Sequence, residues 1–265
     1  MNQLQAAFRS QKEHLIPFIM SGDPSLEVTL KLIYLLAEEG AAAIELGVPF
    51  SDPMADGPVI QAASERALQQ NVTLSDVLEL GRMVRQQGCD VPLILFTYAN
   101  PVFQYGLERL VKQAVSCGFN GVIVPDLPYE ESAPLRKLGS EAGLAVIPLV
   151  APTSRQRIGK IVSDAQGFVY CVSSLGTTGM RQQFAGHVDS FLQIVREMSP
   201  VPTAVGFGIS KREHVVRFLE QADAVVVGSA LVRKIEELSP KLSDPEQCDD
   251  ALNEVRVFVR GLKSE

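Results

Sequence analysis

The sequence predicts an α/β protein folded as a closed (β/α)₈ TIM barrel, and three observations carry that reading. The chain has 265 residues, long for one ordinary domain and short for two. Short, nearly continuous apolar runs alternate with amphipathic helical stretches, the pattern of a parallel sheet buried on both faces. No linker, low-complexity run or change of composition divides them, so residues 1–265 read as a single barrel domain.

Taken in order, the strand candidates are LIPFIM (15–20), AAIELG (42–47), PLILFTY (92–98), GVIVP (121–125), AVIPLV (145–150), FVYCVS (168–173), PTAVGF (202–207) and AVVVGS (224–229). A helix over 2–12 precedes the first strand and another over 247–262 follows the last. After the first strand, Asp23 can cap a helix opening on Pro24 and leaving at Gly40. Leu26, Leu30, Ile33 and Ala37 give that helix its apolar stripe. The longer interval after the second strand holds an inserted helix, PVIQAASERALQQ. Thr73 with Asp76, and Ser210 with Glu213, have the capping-box spacing.

Composition narrows the function. Lys and Arg total 24 against 31 Asp and Glu, a net charge of −7, without the clustered basic residues of a nucleic-acid or anionic-membrane binder. No run approaches the roughly 18 apolar residues of a membrane span. Cys89, Cys117, Cys171 and Cys248 form no CxxC pair and sit in or beside apolar segments, as free thiols do. With no secretory h-region at the N-terminus, the expected compartment is the cytoplasm. Phe occurs 12 times, Tyr 5 times and Trp not at all.

In a barrel the chemistry sits at the C-terminal ends of the strands. Strand parity puts Glu45 on the face of Ala43 and Gly47, away from Ile44 and Leu46, so it points into the barrel mouth. A carboxylate there resists ionisation and can exchange protons near neutral pH. The alternative is a buried Glu paired to a base, but no Lys or Arg is placed at a strand end. Asp52 (FSDP) and Asp56 (ADGP) follow on the loop. Each reads equally as a turn residue or as a second, electrostatically stabilising carboxylate.

Gly-rich turns follow the last three strands: SSLGTTG (173–179), VGFGIS (205–210) and VGSAL (227–231). Close backbone approach and helix N-termini make such turns phosphate sites, here with Ser229 and no basic residue. The stretch 174–186 reads as a lid or simply a flexible loop, with Thr178 and Arg181 as latch candidates. Spacings for a metal site, a P-loop, a GxSxG elbow and a dinucleotide fingerprint are missing, and no lysine is placed for a Schiff base.

PFIMSGDP, AAIELGVPFSDPMADGPVIQ, FTYANPVF, GVIVPDLPYEE, GTTG, VGFGIS and VVVGSA, in that order, resemble the tryptophan synthase alpha subunit family over nearly the whole chain. The resemblance implies cleavage of indole-3-glycerol phosphate to indole and glyceraldehyde 3-phosphate. Indole then passes to a beta subunit in an α2β2 complex, and the pyridoxal phosphate sits on that partner. No cofactor is implied for this chain. Glu45 matches the family's acid/base and Asp56 its second carboxylate. Phe18, Ile60, Phe96 and Tyr170 match the indole pocket. Gly179, Gly208, Gly228 and Ser229 match the phosphate site, and Thr178 matches the lid threonine. The loop 49–56 and the YANPVF segment match surfaces facing the beta subunit. Two departures are GTTG where GVTG is common and Phe96 where leucine is frequent.

Overall fold

Every strand in the sheet is parallel to its neighbours. The computed structural model describes residues 3–8, 14–172, 185–206 and 208–263. Its strands are β1 (His14–Met20), β2 (Ile44–Gly47), β3 (Leu93–Phe96), β4 (Gly121–Ile123), β5 (Ala145–Val146), β6 (Leu149–Val150), β7 (Val169–Val172), β8 (Thr203–Gly206) and β9 (Ala224–Val227). They run in the order β5-β4-β3-β2-β1-β9-β8-β7-β6. The two ends of that order are consecutive in the chain, so β5 and β6 are halves of the one run expected at 145–150. Pro148 has no N–H for a ladder and interrupts it. The ring still closes across the break: the Ile147 amide donates to the Val122 carbonyl (3.0 Å), and the Tyr170 amide donates to the Pro148 carbonyl (2.9 Å). The result is the expected (β/α)₈ barrel with its fifth strand broken.

Parity sorts the strand side chains into two populations. Ile16, Ala43, Ile94, Ile123, Ala145, Phe168, Ala204, Ala224 and Val226 pack inside the ring. Ile44, Leu46, Leu93, Leu95, Val122, Val169, Val205 and Val225 join the larger cluster under the helices. The alanines inside suit an eight-stranded ring, whose interior leaves room for only a few side chains per layer. The bottom is plugged by α1 (Gln3–Ala7), whose Leu4 is completely buried against the inner cluster. Phe8 follows it, with ring centroids 5.7 Å from Phe168 and 5.4 Å from His14.

The helices outside are α2 (Leu26–Glu38), α3 (Pro58–Gln69), α4 (Leu74–Gln86), α5 (Ala99–Tyr105), α6 (Leu107–Ser116), α7 (Ala133–Ala142), α8 (Ile158–Val162), α9 (Ala185–Met198), α10 (Arg212–Leu219), α11 (Ser229–Leu242) and α12 (Cys248–Arg260). The inserted helix is α3. The Thr73–Asp76 capping box forms in full. Two other expected caps do not form. Ser25, not Asp23, caps α2 by accepting from the Val28 amide at 3.1 Å, because the Asp23 carboxylate is taken by Arg66. At α10 the N-cap is Lys211 without a side-chain bond, and the Ser210 amide donates to His214 Nδ1.

Candidate active site

Strand registration places Phe18 beside Glu45 and Glu45 beside Ile94, at the C-terminal end of the ring. Glu45 is completely buried, and neither of its carboxylate oxygens has a hydrogen-bond partner among the described residues. Burial alone pushes its pKa well above the ordinary value. Among the described residues Glu45 has no ion pair, so the structural alternative of a buried salt bridge is not what the barrel builds. A base does lie at the mouth, contrary to the sequence expectation. Arg66 on α3 reaches the loop after β1, but its guanidinium is engaged by Asp23 and Glu236.

The loop between β2 and α3 decides between the two aspartates. Asp52 is exposed; its carboxylate accepts from Ser51 Oγ at 2.5 Å and its carbonyl accepts from the Met54 amide, a turn residue's bonding. Asp56 is half-buried, immediately before the Gly57 N-cap of α3. Its pKa rises to about 6, because burial outweighs the hydrogen bond it accepts from the Tyr98 hydroxyl. Tyr98 also accepts from the Ala55 amide (3.3 Å) and stacks on Phe50, with centroids 5.3 Å apart. Phe50 is held in turn through its backbone: its amide donates to Ser64 Oγ (2.8 Å), whose hydroxyl donates to the Phe50 carbonyl (2.9 Å). The loop is therefore pinned to α3 on one side and to the end of β3 on the other.

Tyr170 feels both acids. Burial raises its phenol pKa first, and the charges of both Glu45 and Asp56 raise it further. Phe18 and Phe96 meet edge to face, with centroids 5.3 Å apart at 82°, and Ile60 packs against the same cluster. Two glycines leave room for these rings. A Cβ on Gly47 would lie 2.6 Å from Phe18 Cζ, and one on Gly206 would lie 2.6 Å from the Tyr170 hydroxyl. Phe18, Ile60 and Phe96 thus share one cluster beside the strand of Glu45, and Tyr170 lies within electrostatic reach of both acids.

Gly228 follows β9 and is the N-cap of α11, with no side-chain cap to occupy the helix's free amides. A Cβ there would sit 3.7 Å from Ile60 and 3.8 Å from Phe18, so the helix N-terminus borders the aromatic pocket directly. Ser229 is the first residue of α11. Gly208 lies just past neighbouring β8 with φ +68°, a left-handed conformation that favours glycine, and the space where a Cβ would stand is open. The other expected contributors, Thr178 and Gly179, lie outside the described residues, as does Arg181.

Sequence reasoning missed Tyr98 and the Asp23–Arg66 pair. A tyrosine just beyond the strand that neighbours Glu45's own was the available signal for Tyr98. Nothing local announced Arg66, whose partners lie 43 and 170 residues away. Among the described residues no three His, Cys, Asp or Glu side chains gather into a metal-binding group, and no helix is long and apolar enough to cross a membrane.

The family model of the tryptophan synthase alpha chain matches residues 4–264. A curated tryptophan synthase alpha chain from Halalkalibacterium halodurans is 51% identical over 264 residues, covering all of both chains. The crystal structure of tryptophan synthase subunit alpha from Legionella pneumophila superposes with a TM-score of 0.88 at 35% identity, covering 99% of this chain and 97% of that one. A chain of the tryptophan synthase α2β2 complex from Pyrococcus furiosus gives a TM-score of 0.84 at 36% identity, over 94% and 97%.

Proposed function

The chain belongs to the tryptophan synthase alpha chain family, and from that premise we propose how its barrel mouth works. The reaction is the lyase cleavage of indole-3-glycerol phosphate to indole and glyceraldehyde 3-phosphate. It is a retro-aldol step, and the indole ring itself supplies the electron sink. Protonation at indole C3 gives an indolenine cation. The bond from C3 to the glycerol chain then breaks, its electron pair restores the indole, and the adjacent carbinol becomes the aldehyde as its hydroxyl proton leaves.

Glu45 is the acid/base of this cycle. Buried without a partner among the described residues, it is stored as a neutral acid, gives its proton to C3, and as a carboxylate takes the hydroxyl proton, returning to its starting state. Asp56, at about 6, is largely ionised at neutral pH and accepts from N1–H, stabilising the positive charge that develops on the ring. Two carboxylates pushed apart in pKa by their surroundings divide the acid and the electrostatic role. Phe18, Ile60, Phe96 and Tyr170 sandwich the indole. The amides at Gly208, Gly228 and Ser229 receive the phosphate, and the family resemblance assigns Gly179 and Thr178 to the same end of the substrate. The observation that carries this reading is the unpartnered carboxyl of Glu45 on the same ring of residues as the aromatic pocket.

A beta subunit is the partner we assign, in an assembly like the α2β2 complex of the Pyrococcus relative. Pyridoxal phosphate belongs to that partner, and this chain carries no cofactor of its own. Residues 1–265 act as one domain. We assign the chain to the cytoplasm because its four cysteines are free thiols, which persist in reducing compartments. The test is to incubate the purified chain with indole-3-glycerol phosphate, with and without a pyridoxal-phosphate-loaded beta subunit. Indole release supports the reading; no indole under either condition refutes it.

A further inference from the structure

Helix α3 carries much of the proposed site. Asp56 stands at its entry and Ile60 on its first turn, yet its N-cap, Gly57, makes no side-chain capping bond. Its contact with α11 is made of small or smooth side chains, Ala63 and Ala67 near Val232. Alanine faces give contact area but little directionality, so a polar restraint between the two helices can fix the position of α3 along α11.

Arg66 supplies that restraint. Its Nε donates to Asp23 Oδ1 and its Nη2 to Asp23 Oδ2, both at 2.8 Å, while Nη1 donates to Glu236 Oε1 at 2.7 Å. Asp23 follows β1 and its side chain is only 2% exposed. Glu236 is on α11, about two turns beyond the helix N-terminus. A guanidinium has a rigid planar fork, so engaging two carboxylates at once fixes direction as well as distance.

We infer that Arg66 is a positioning residue for the cleavage: by bridging Asp23 and Glu236 it sets helix α3, with Asp56 and Ile60, at a fixed span from the α11 N-terminus that receives the phosphate. The inference rests on the reading of the two carboxylates and the phosphate site given above. The substrate is long, held at the indole end by α3 and at the phosphate end by α11. Misplacing one end relative to the other by a fraction of an ångström costs reaction rate, even when each half-site stays intact.

The test uses three variants with the beta subunit present. Arg66→Ala strands a buried carboxylate, so Arg66→Lys, which keeps the charge but loses the fork, and Glu236→Gln, at a side chain 43% exposed, isolate the effect from folding. For each, kcat and KM are measured along with affinity for two probes: glycerol 3-phosphate, which occupies the phosphate end alone, and 3-(indol-3-yl)propyl phosphate, which spans both ends. The expected result is a fall in kcat/KM of about tenfold or more in Arg66→Lys and Glu236→Gln, with weakened binding of the spanning probe. Glycerol 3-phosphate affinity stays within about twofold of the parent's on the same argument. Unchanged kcat/KM in both variants overturns the inference, and so does parallel loss of affinity for both probes, the signature of general loosening. Failure of the parent protein to release indole refutes the catalytic reading instead; the two-probe comparison still tests the span.

Discussion

Glu45 and Asp56 are both carboxylates at one barrel mouth, but their surroundings differ. Among the described residues Glu45 has no hydrogen-bond partner, whereas Asp56 accepts from Tyr98. Removing that phenol hydroxyl removes an influence that holds the Asp56 pKa down. Tyr98→Phe keeps the stack on Phe50, so the acid limb of kcat/KM, expected near the Asp56 value of about 6, should move to higher pH. A pH–rate profile checks it, and an unmoved limb would detach Asp56 from that titration. Glu45 was legible in the sequence because strand parity alone fixes which way it points. Asp52 and Asp56 were not separable, since both precede a turn-forming Pro or Gly; burial and the position of Tyr98, 42 residues beyond Asp56, distinguish them.

Elements were legible where their determinants are local. The Thr73–Asp76 box formed because both partners lie within one helical turn. Asp23 has an N-cap's chemistry, but a guanidinium from α3 outcompetes backbone amides for its carboxylate, and Ser25 caps in its place. The run AVIPLV was recognisable as a strand, but not its break, which depends on where the ladders of two neighbours fall relative to Pro148. On β2, Gly47 has a role that only packing shows: it leaves the room that the Phe18 ring fills. Gly47→Ala should drive Phe18 into the indole pocket, raising KM and costing about 1–3 kcal/mol through overpacking. Steady-state kinetics and a urea midpoint read both effects, and a variant with parent-like KM would show that Phe18 has free space elsewhere.

For the whole molecule, eight apolar runs alternating with helical stretches over 265 residues made the closed ring readable. The interior mixes alanines with Ile16, Ile94, Ile123 and Phe168, a filling that fits an eight-stranded cylinder. Contacts between distant segments, Arg66 to Glu236 above all, follow from closure and carry no local signature. The barrel also bears a stability cost for Glu45 that depends on pH. Its folded pKa is raised, so between the unfolded value of about 4.3 and the folded value the unfolded chain has released a proton that the folded chain retains. Raising pH through that window favours unfolding, and the slope vanishes above the folded pKa. Glu45→Gln removes this term. It should melt close to the parent near pH 4 and above it at pH 8, a gap that thermal unfolding at the two pH values measures; a gap independent of pH would mean that Glu45 is not held neutral by burial.

The same variant tests the central claim most directly. Because the chain contains no tryptophan, binding of an indole ligand can be followed by its own fluorescence while indole release is assayed separately. Glu45→Gln should bind indole-3-glycerol phosphate with affinity near the parent's and cleave it about 10²–10⁴-fold more slowly, the range a positioned acid/base contributes. Cleavage at the parent's rate, or binding lost in step with turnover, would contradict the assignment of Glu45 as the acid/base.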